Sequence, residues 1–457
     1  MRRTAALLLA ALFTLSTAAV AVYLQKRPAS GDPAPRPKVT GHSAAGALRV
    51  STELERHYLS ESRGGEVYLQ VNLAADGERS QGPRVPVNAV MILDRSGSMH
   101  GEKLDRARDA ARALIEALRP NDHFAIVDFA SDARVLIPST DASPAAKQRA
   151  LAAIDRLQAT TGTNLSAAFA LAAPQLRLGQ EESRVDKIFL ASDGQANEGI
   201  SERGQLLHLA QVDFGGATVS SFGMGEDYDE SFMTALAVQA GGRAQYVQQA
   251  EELPGMFEAE LTRASQAVAH DVHLDVRGLS GAQVTRVLGF PADGGSVRLP
   301  DLAAGEERRV LIKLSVPPGR GTAELASVEV TFRDGRGATQ RVAQKTQAVY
   351  TADRARLEEK SNQISWQGAM AEMADSASQA VRYQAEGRLE EAKVAEERLG
   401  QVAAQASAGA PASAARVLKE RGASYGLQLR ASGGGNQAAR KSLAASAASD
   451  ASVPVDF

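Results

Sequence analysis

The sequence predicts an α/β domain with a mainly parallel sheet, an antiparallel β-sandwich and a helical C-terminal region. Between residues 86 and 269, short apolar segments alternate with amphipathic segments of helical period, which is typical of a parallel sheet covered by helices on both faces. Between residues 270 and 350, short alternating segments are separated by turns with glycine or proline, a sandwich pattern. Residues 353–430 are predicted to be helical because they contain few helix breakers.

Length and composition exclude several classes of protein. The chain has 457 residues, enough for two or three domains. Its hydrophobic fraction of 44% and charged fraction of 23% are ordinary for a soluble globular protein. The net charge of -3 gives no sign of the basic face of a nucleic-acid binder. Because the chain has no cysteine, disulfides, thiolate metal sites and cysteine nucleophiles are excluded.

The N-terminus has the pattern of an export signal. Arg2 and Arg3 precede an apolar run that continues to Leu24. Residues 19–21 offer a small-x-small cleavage site, yet the run also approaches the roughly 20 residues that span a bilayer. Residues 1–25 are therefore predicted to be a signal peptide, which we favour slightly, or an uncleaved membrane anchor. Both alternatives place the protein outside the cytoplasm, in the periplasm, the cell envelope or the extracellular space.

Further segments complete the predicted domain organisation. Residues 26–46 contain four prolines and are predicted to be a linker. Residues 66–73 alternate apolar and polar side chains, as expected of a half-buried antiparallel strand. Because the strands predicted after residue 270 are few for two sheets, we expect strands in residues 47–85 to complete the sandwich. The α/β domain is then inserted between parts of the sandwich.

Finer expectations concern the second half of the chain. Residues 251–269 are predicted to form one helix, and residues 416–429 a short last element. Residues 431–457 are rich in glycine, serine and alanine and are predicted to be disordered. In the helical region the expected core anchors are Trp366, Met370, Met373, Leu389 and Leu399.

The first group of candidate ligands follows a predicted buried strand at residues 87–93. Asp94, Ser96 and Ser98 are spaced two apart, so one tight loop can turn all three side chains inward. Gly97 is expected to let the backbone turn without a Cβ clash. One carboxylate and two hydroxyls are hard oxygen donors, which suit a small hard cation.

Two further loops supply candidate ligands. Residues 187–192 are predicted to be a buried strand that ends at Asp193, as the first strand ends at Asp94. Because ligands bind at the carboxyl ends of parallel strands, both carboxylates are expected on one rim. Thr163 lies between a glycine and a predicted helix start, where its hydroxyl can face the rim or cap the helix.

The complete predicted donor set contains two carboxylates and three hydroxyls. Such a set favours Mg²⁺ with water in the remaining positions, whereas Ca²⁺ usually takes more carboxylate and carbonyl oxygens. Mn²⁺ is a further alternative, and zinc is disfavoured because no histidine or thiolate joins the set. Each loop alone has a simpler interpretation, as a helix cap or a common Asp-Gly turn. The three loops in order favour a metal site formed by Asp94, Ser96, Ser98, Thr163 and Asp193.

These residues resemble the metal-ion-dependent adhesion site of a von Willebrand factor type A (VWA) domain. The family motif is Asp-x-Ser-x-Ser, then a threonine in a Gly-Thr-Asn loop, then an aspartate in an Asp-Gly pair, and every ligand position is matched here. The resemblance implies a Rossmann-like fold over residues 86–269. It also implies that Ser96, Ser98 and, in one state, Thr163 touch the metal directly, while Asp94 and Asp193 often act through water.

The layout of the chain gives a narrower resemblance. Strands before the α/β domain and a sandwich after it are similar to the arrangement in bacterial exported VWA proteins and, more loosely, in inter-alpha-trypsin inhibitor heavy chains. The helical region resembles no family that we can name.

The sequence favours a binding module that is not an enzyme. The VWA resemblance implies that an aspartate or glutamate of a partner protein completes the metal coordination. A scaffold of the cell envelope that acts through its helical tail is an alternative. A metal-dependent hydrolase is less favoured, because no general base, nucleophile or second metal site accompanies the ligands.

Overall fold

The computed structural model describes residues 41–76, 85–192, 195–224, 228–247, 250–290, 295–335, 337–385, 387–408, 410 and 412–432. The predicted targeting segment 1–25 and most of the predicted linker and tail lie outside these residues, as does Asp193. Among the described helices, none is both long and apolar enough to cross a bilayer.

The strands and helices are numbered here in chain order. The strands are β1 (Gly41–Ala45), β2 (Leu48–Leu54), β3 (Tyr58–Ser60), β4 (Gly65–Ala75), β5 (Val87–Asp94), β6 (His123–Phe129), β7 (Ala133–Asp141), β8 (Val185–Ser192), β9 (Thr218–Met224), β10 (Ala244–Val247), β11 (Ala267–Gly278), β12 (Gln283–Val287), β13 (Ser296–Leu299), β14 (Leu302–Ala303), β15 (Glu307–Val316), β16 (Thr322–Asp334) and β17 (Thr339–Thr351). The α-helices are α1 (Glu102–Ala117), α2 (Pro144–Ile154), α3 (Leu165–Gly179), α4 (Arg203–Phe214), α5 (Glu230–Gln239), α6 (Leu253–Gln266), α7 (Arg354–Glu358), α8 (Asn362–Ala385), α9 (Leu389–Ala408) and α10 (Ala412–Ser432).

The α/β domain contains the predicted, mainly parallel sheet. Within the described residues its strand order is β10-β9-β8-β5-β6-β7, and only the β6–β7 pair is antiparallel. All eight residues of β5 are buried because helices cover both faces. Met91 and its alternate neighbours pack with α1, α2 and α6, whereas Val90 and Ile92 pack with α3, α4 and α5. The predicted fold class is confirmed.

Two antiparallel sheets form a sandwich around a second apolar core. One has the order β1-β2-β4-β15-β12 and the other β13-β11-β16-β17-β3, in which only the short β3–β17 pair is parallel. Strand β4 pairs with β15, so that Val71 lies opposite Val310. This pairing joins a segment before the α/β domain to one after it, and the α/β domain is thus inserted within the sandwich.

Some element boundaries differ from the predicted ones. Residues 41–45, predicted to be linker, form β1, which pairs with β2 through a tight turn where Gly46 has φ of 55°. The predicted helix 251–269 is wrong at its C-terminal end. Helix α6 ends at Gln266, and Ala267 starts β11, because Ala267 and Ala269 pair with β14.

The helical region forms a three-helix bundle of α8, α9 and α10 in contact with the sandwich. Met373 and Leu399 lie in the bundle core as predicted, and Trp366 and Met370 are partly buried against it. The prediction for Leu389 is wrong, since this side chain is 61% exposed at the first position of α9. Helix α10 has 21 residues and is longer than the predicted element. Ile364 and Ala371 of α8 pack on Leu288 and Leu311 of the sandwich.

Candidate metal site

Asp94 ends β5 and is held in a fixed orientation. The residue is fully buried at the carboxyl end of the sheet. One carboxylate oxygen, Oδ1, accepts a hydrogen bond from the backbone N–H of Ser96 at 2.7 Å. The other, Oδ2, accepts from the hydroxyl of Ser192 at 2.5 Å. Ser192 is the last residue of β8, so two neighbouring parallel strands meet at this carboxylate.

The hydroxyls of Ser96 and Ser98 lie side by side in the turn after β5. Their Oγ atoms are 3.1 Å apart. Two adjacent ligands of an octahedral Mg²⁺ are about 2.9 Å apart, given metal–oxygen distances of about 2.0–2.1 Å. The two hydroxyls therefore fit one edge of a magnesium octahedron. The capping alternative does not hold for Ser96, whose side chain makes no capping bond, and the N-cap of α1 is Gly101.

Gly97 does not have the predicted role. A Cβ atom there would approach only the carbonyl oxygen of Thr160, at 3.7 Å, which is ordinary van der Waals contact. Its φ is also outside the left-handed region that favours glycine. The turn after β5 therefore does not require a glycine at this position.

Thr163 lies buried in the loop before α3. The helix cap is provided by the next residue, Asn164, whose side chain accepts from the N–H of Ala167 at 3.0 Å. Gly162, on the other side, has φ of 81°. Of the two predicted roles, the cap belongs to Asn164, and the rim-facing role stays a prediction for Thr163.

Backbone hydrogen bonds connect the first two loops. The N–H of Thr160 donates to the carbonyl of Arg95 at 2.8 Å, and the N–H of Arg95 donates to the carbonyl of Phe129 at 2.8 Å. The N–H of Asn164 donates to the carbonyl of Ala130 at 2.8 Å. The two loops are therefore fixed at the ends of β5 and β6, where Ser96, Ser98 and Thr163 are brought to the same edge.

Arg95 occupies a variable position of the Asp-x-Ser-x-Ser motif and was not predicted to support the site. Its guanidinium is buried and forms ion pairs with Asp128, at the end of β6, and with Asp132. The hydrogen bond from Arg95 lowers the pKa of the Asp132 carboxyl below its usual value. Arg134 also donates to Asp128, at 2.8 Å. The only signal in the sequence was a cation in the loop that follows the predicted buried strand. This signal does not identify Asp128 and Asp132 as its partners.

Asn197 follows β8 and contacts the second loop, and it too was not predicted to support the site. Its side-chain Oδ1 accepts from the N–H of Thr163 at 2.8 Å. Its own N–H donates to the carbonyl of Thr163 at 3.0 Å. The segment after β8 is thus bound directly to a predicted metal ligand.

Comparison with known proteins defines the class of the α/β domain. Residues 89–195 match the sequence profile of the von Willebrand factor type A domain. The sheet order and the helices on both faces agree with that match. This part of the chain therefore has the VWA fold.

Individual relatives resemble longer parts of the chain. Uncharacterized protein YfbK of Escherichia coli is 30% identical over 262 residues, which are 54% of this chain and 45% of that protein. Human inter-alpha-trypsin inhibitor heavy chain H4 is 30% identical over 172 residues, 36% of this chain and 18% of that protein. The predicted similarity to these heavy chains is confirmed. The match to YfbK spans less than half of that protein's length.

A solved structure resembles both the α/β domain and its surroundings. The von Willebrand factor type A protein from Catenulispora acidiphila superimposes with a TM-score of 0.63 and 21% identity. The superposition covers 83% of this chain and 91% of that protein. The shared fold therefore extends beyond the VWA domain.

Proposed function

We propose that this chain is an exported, metal-dependent binding module that recognises an acidic residue of a partner protein. The observation that carries the proposal is the pair of hydroxyls of Ser96 and Ser98, 3.1 Å apart at the carboxyl edge of a VWA sheet. They lie beside Asp94, whose carboxylate is oriented by two donors. We propose Mg²⁺ as the cation, with Ca²⁺ and Mn²⁺ as alternatives.

Each residue of the proposed site has a defined part. Ser96 and Ser98 would hold the ion through their hydroxyls, and Asp94 and Asp193 would balance its charge directly or through water. Thr163 would approach from the second loop. A bound Mg²⁺ supplies a coordination position that a carboxylate can fill, and the exposed turn at Ser98 leaves that position open to a partner.

The metal step is tested by titrating the purified protein with Mg²⁺ in a calorimeter. Wild type is expected to bind one ion, and Asp94→Asn is expected to lose most of the affinity because it removes a charge from the site. Asp76→Asn is the matched control, since this exposed carboxylate pairs with Arg49 in the sandwich, away from the rim. Equal affinity in all three proteins would contradict the metal site.

The binding step is tested by proximity labelling in the native host, with wild type, Asp94→Asn and Asp76→Asn. A partner labelled by wild type and by the control, but not by Asp94→Asn, supports adhesion-type recognition. The partner is then purified and its binding measured with Mg²⁺ and with EDTA. Identical labelling by all three proteins would contradict the proposal. Mg²⁺-dependent turnover of a phosphoester or peptide, lost in Asp193→Ala, would replace it with a hydrolase.

The proposed export has a separate test. Mass spectrometry of the mature N-terminus in the native host distinguishes the two alternatives for residues 1–25. A start near residue 22 indicates a cleaved signal peptide, and an intact N-terminus in the membrane fraction indicates an anchor. An intact N-terminus in the cytoplasmic fraction would contradict export.

A further inference from the structure

Thr163 is held by the segment after β8 at both polar atoms of its backbone. Its N–H donates to the side-chain Oδ1 of Asn197 at 2.8 Å. Its carbonyl accepts from the N–H of Asn197 at 3.0 Å and from the N–H of Glu198 at 3.2 Å. A residue fixed at both its donor and its acceptor has little freedom in φ and ψ, so its side chain leaves the backbone in a fixed direction.

The two segments approach each other too closely for side chains between them. A Cβ atom on Gly162 would lie 2.0 Å from the hydroxyl of Ser131 and 2.3 Å from the carboxylate of Glu198. A Cβ atom on Gly199, where φ is 65°, would lie 2.4 Å from the side-chain oxygen of Asn164. The contact is polar, because Ser131 also donates to Glu198 at 2.8 Å.

Asn197 lies where a substitution can change the geometry of Thr163 without lowering the stability of the whole fold. The residue is exposed, whereas Thr163, whose amide it binds, is buried. Asn197 belongs to none of the apolar cores of the described chain. Replacing it therefore opens no cavity and removes one acceptor from one buried amide.

We propose that Asn197 is a positioning residue that presets Thr163 for the metal. This inference rests on the proposed function, since it assumes that Thr163 belongs to a metal site. A ligand residue that is already ordered in the metal-free protein binds the ion more tightly, because less conformational entropy is lost on binding. Asn197 acts through Thr163 and is itself no ligand. It also links the second loop to the segment after β8.

The test compares wild type, Asn197→Ala and Asn197→Asp. Asn197→Ala removes the acceptor, and we expect about three- to tenfold weaker Mg²⁺ binding, the effect of losing one ordinary hydrogen bond. Amide hydrogen exchange of residues 160–164, measured in EDTA, is expected to accelerate by a similar factor. Asn197→Asp keeps an oxygen acceptor and is expected to restore slow exchange. The melting temperature in EDTA is expected to stay close to that of wild type in both variants.

Ser131→Ala is the matched control, because it removes the hydroxyl's bonds to Glu198 and to the carbonyl of Thr161 but leaves both bonds between Asn197 and Thr163. Wild-type exchange and wild-type Mg²⁺ affinity in Asn197→Ala would overturn the inference. So would equal acceleration in Ser131→Ala, which would indicate general loosening of the rim. If wild type itself binds no Mg²⁺, the proposed function fails, and the exchange data in EDTA still decide whether Asn197 holds Thr163.

Discussion

Lys187 Nζ lies 3.1 Å from Glu260 Oε2, and this buried ion pair joins β8 to α6. The hydroxyl of Ser220 donates to the same carboxylate oxygen at 2.9 Å. Burial alone would raise the pKa of Glu260, but the charges of Lys187 and Arg243 and the bond from Ser220 outweigh it, so the pKa is lowered. Lys187 lies near the start of β8, whereas Ser192 ends it at the candidate metal rim. The helix that leads into the sandwich is thus fixed away from the rim.

Glu260→Gln is expected to destabilise the fold by about 3–5 kcal/mol at pH 7, because it leaves the charge of Lys187 buried without its partner. The folded-state pKa of Glu260 is lowered, so its contribution is present above the unfolded pKa of about 4.3 and is lost as pH falls through the lower folded value. The difference from wild type should therefore shrink below about pH 4. Denaturant unfolding at several pH values measures it. Unchanged Mg²⁺ affinity is the control, and a variant as stable as wild type at pH 7 would contradict the expectation.

The α/β sheet was predictable because its central strand β5 is mostly apolar and because most of its strands alternate with helices along the chain. Strand β17 lies mostly within the residues 270–350 predicted to form the sandwich, but the sequence did not predict it as an individual strand. Its buried positions include Gln344 and Thr346, so the apolar alternation is broken. Gln344 donates to the carbonyl of Val50, and Thr346 donates to the hydroxyl of Thr52. In both hydrogen bonds the partners are 294 residues apart in the sequence. Sequence patterns carry no signal for such distant polar partners.

In the candidate site, too, features local in sequence were predictable and contacts between distant residues were not. Asp94, Ser96 and Ser98 lie within five consecutive residues, and their spacing alone predicted a common loop. Arg95 pairs with Asp128, 33 residues away, and Asn197 binds Thr163, 34 residues away. These supporting residues are defined by the pairing of loops in space. The motif therefore predicted the oxygen donors, and only the fold identifies the residues that hold them in place.

Mg²⁺ is expected to stabilise wild type but not Ser98→Ala. An ion present at 100 times its dissociation constant adds about 2.7 kcal/mol to the free energy of unfolding. Because Ser98 is exposed, its loss should leave the metal-free protein unchanged. Thermal unfolding with Mg²⁺ and with EDTA measures both effects. An equal Mg²⁺ shift in wild type and Ser98→Ala would argue against a ligand role for this hydroxyl.

Arg95→Met is expected to cost about 3 kcal/mol of stability, since it leaves the buried carboxylate of Asp128 without one of its cations. The value is at the low end for a buried pair because Arg134 still donates to Asp128 at 2.8 Å. Arg134→Met is the matched control, and its cost should be smaller, because the Arg134 side chain is half exposed and the buried Arg95 still pairs with Asp128. Denaturant titration compares the two variants. Equal costs would show that burial of Arg95 does not distinguish the two ion pairs.

Gly162→Ala and Gly97→Ala test which glycine shapes the site. Gly162 combines a φ of 81° with a Cβ position only 2.0 Å from the hydroxyl of Ser131, so alanine there must displace the loop that carries Thr163. We expect a loss of about 2 kcal/mol or more in stability, together with weaker Mg²⁺ binding. Gly97→Ala meets only ordinary contact at 3.7 Å and should change neither quantity. Calorimetric titration and thermal unfolding of both variants provide the comparison. Both variants add the same methyl group, so a difference between them reflects its position. A larger loss of stability and Mg²⁺ affinity in Gly97→Ala than in Gly162→Ala would mean that the first loop, rather than the second, depends on a glycine.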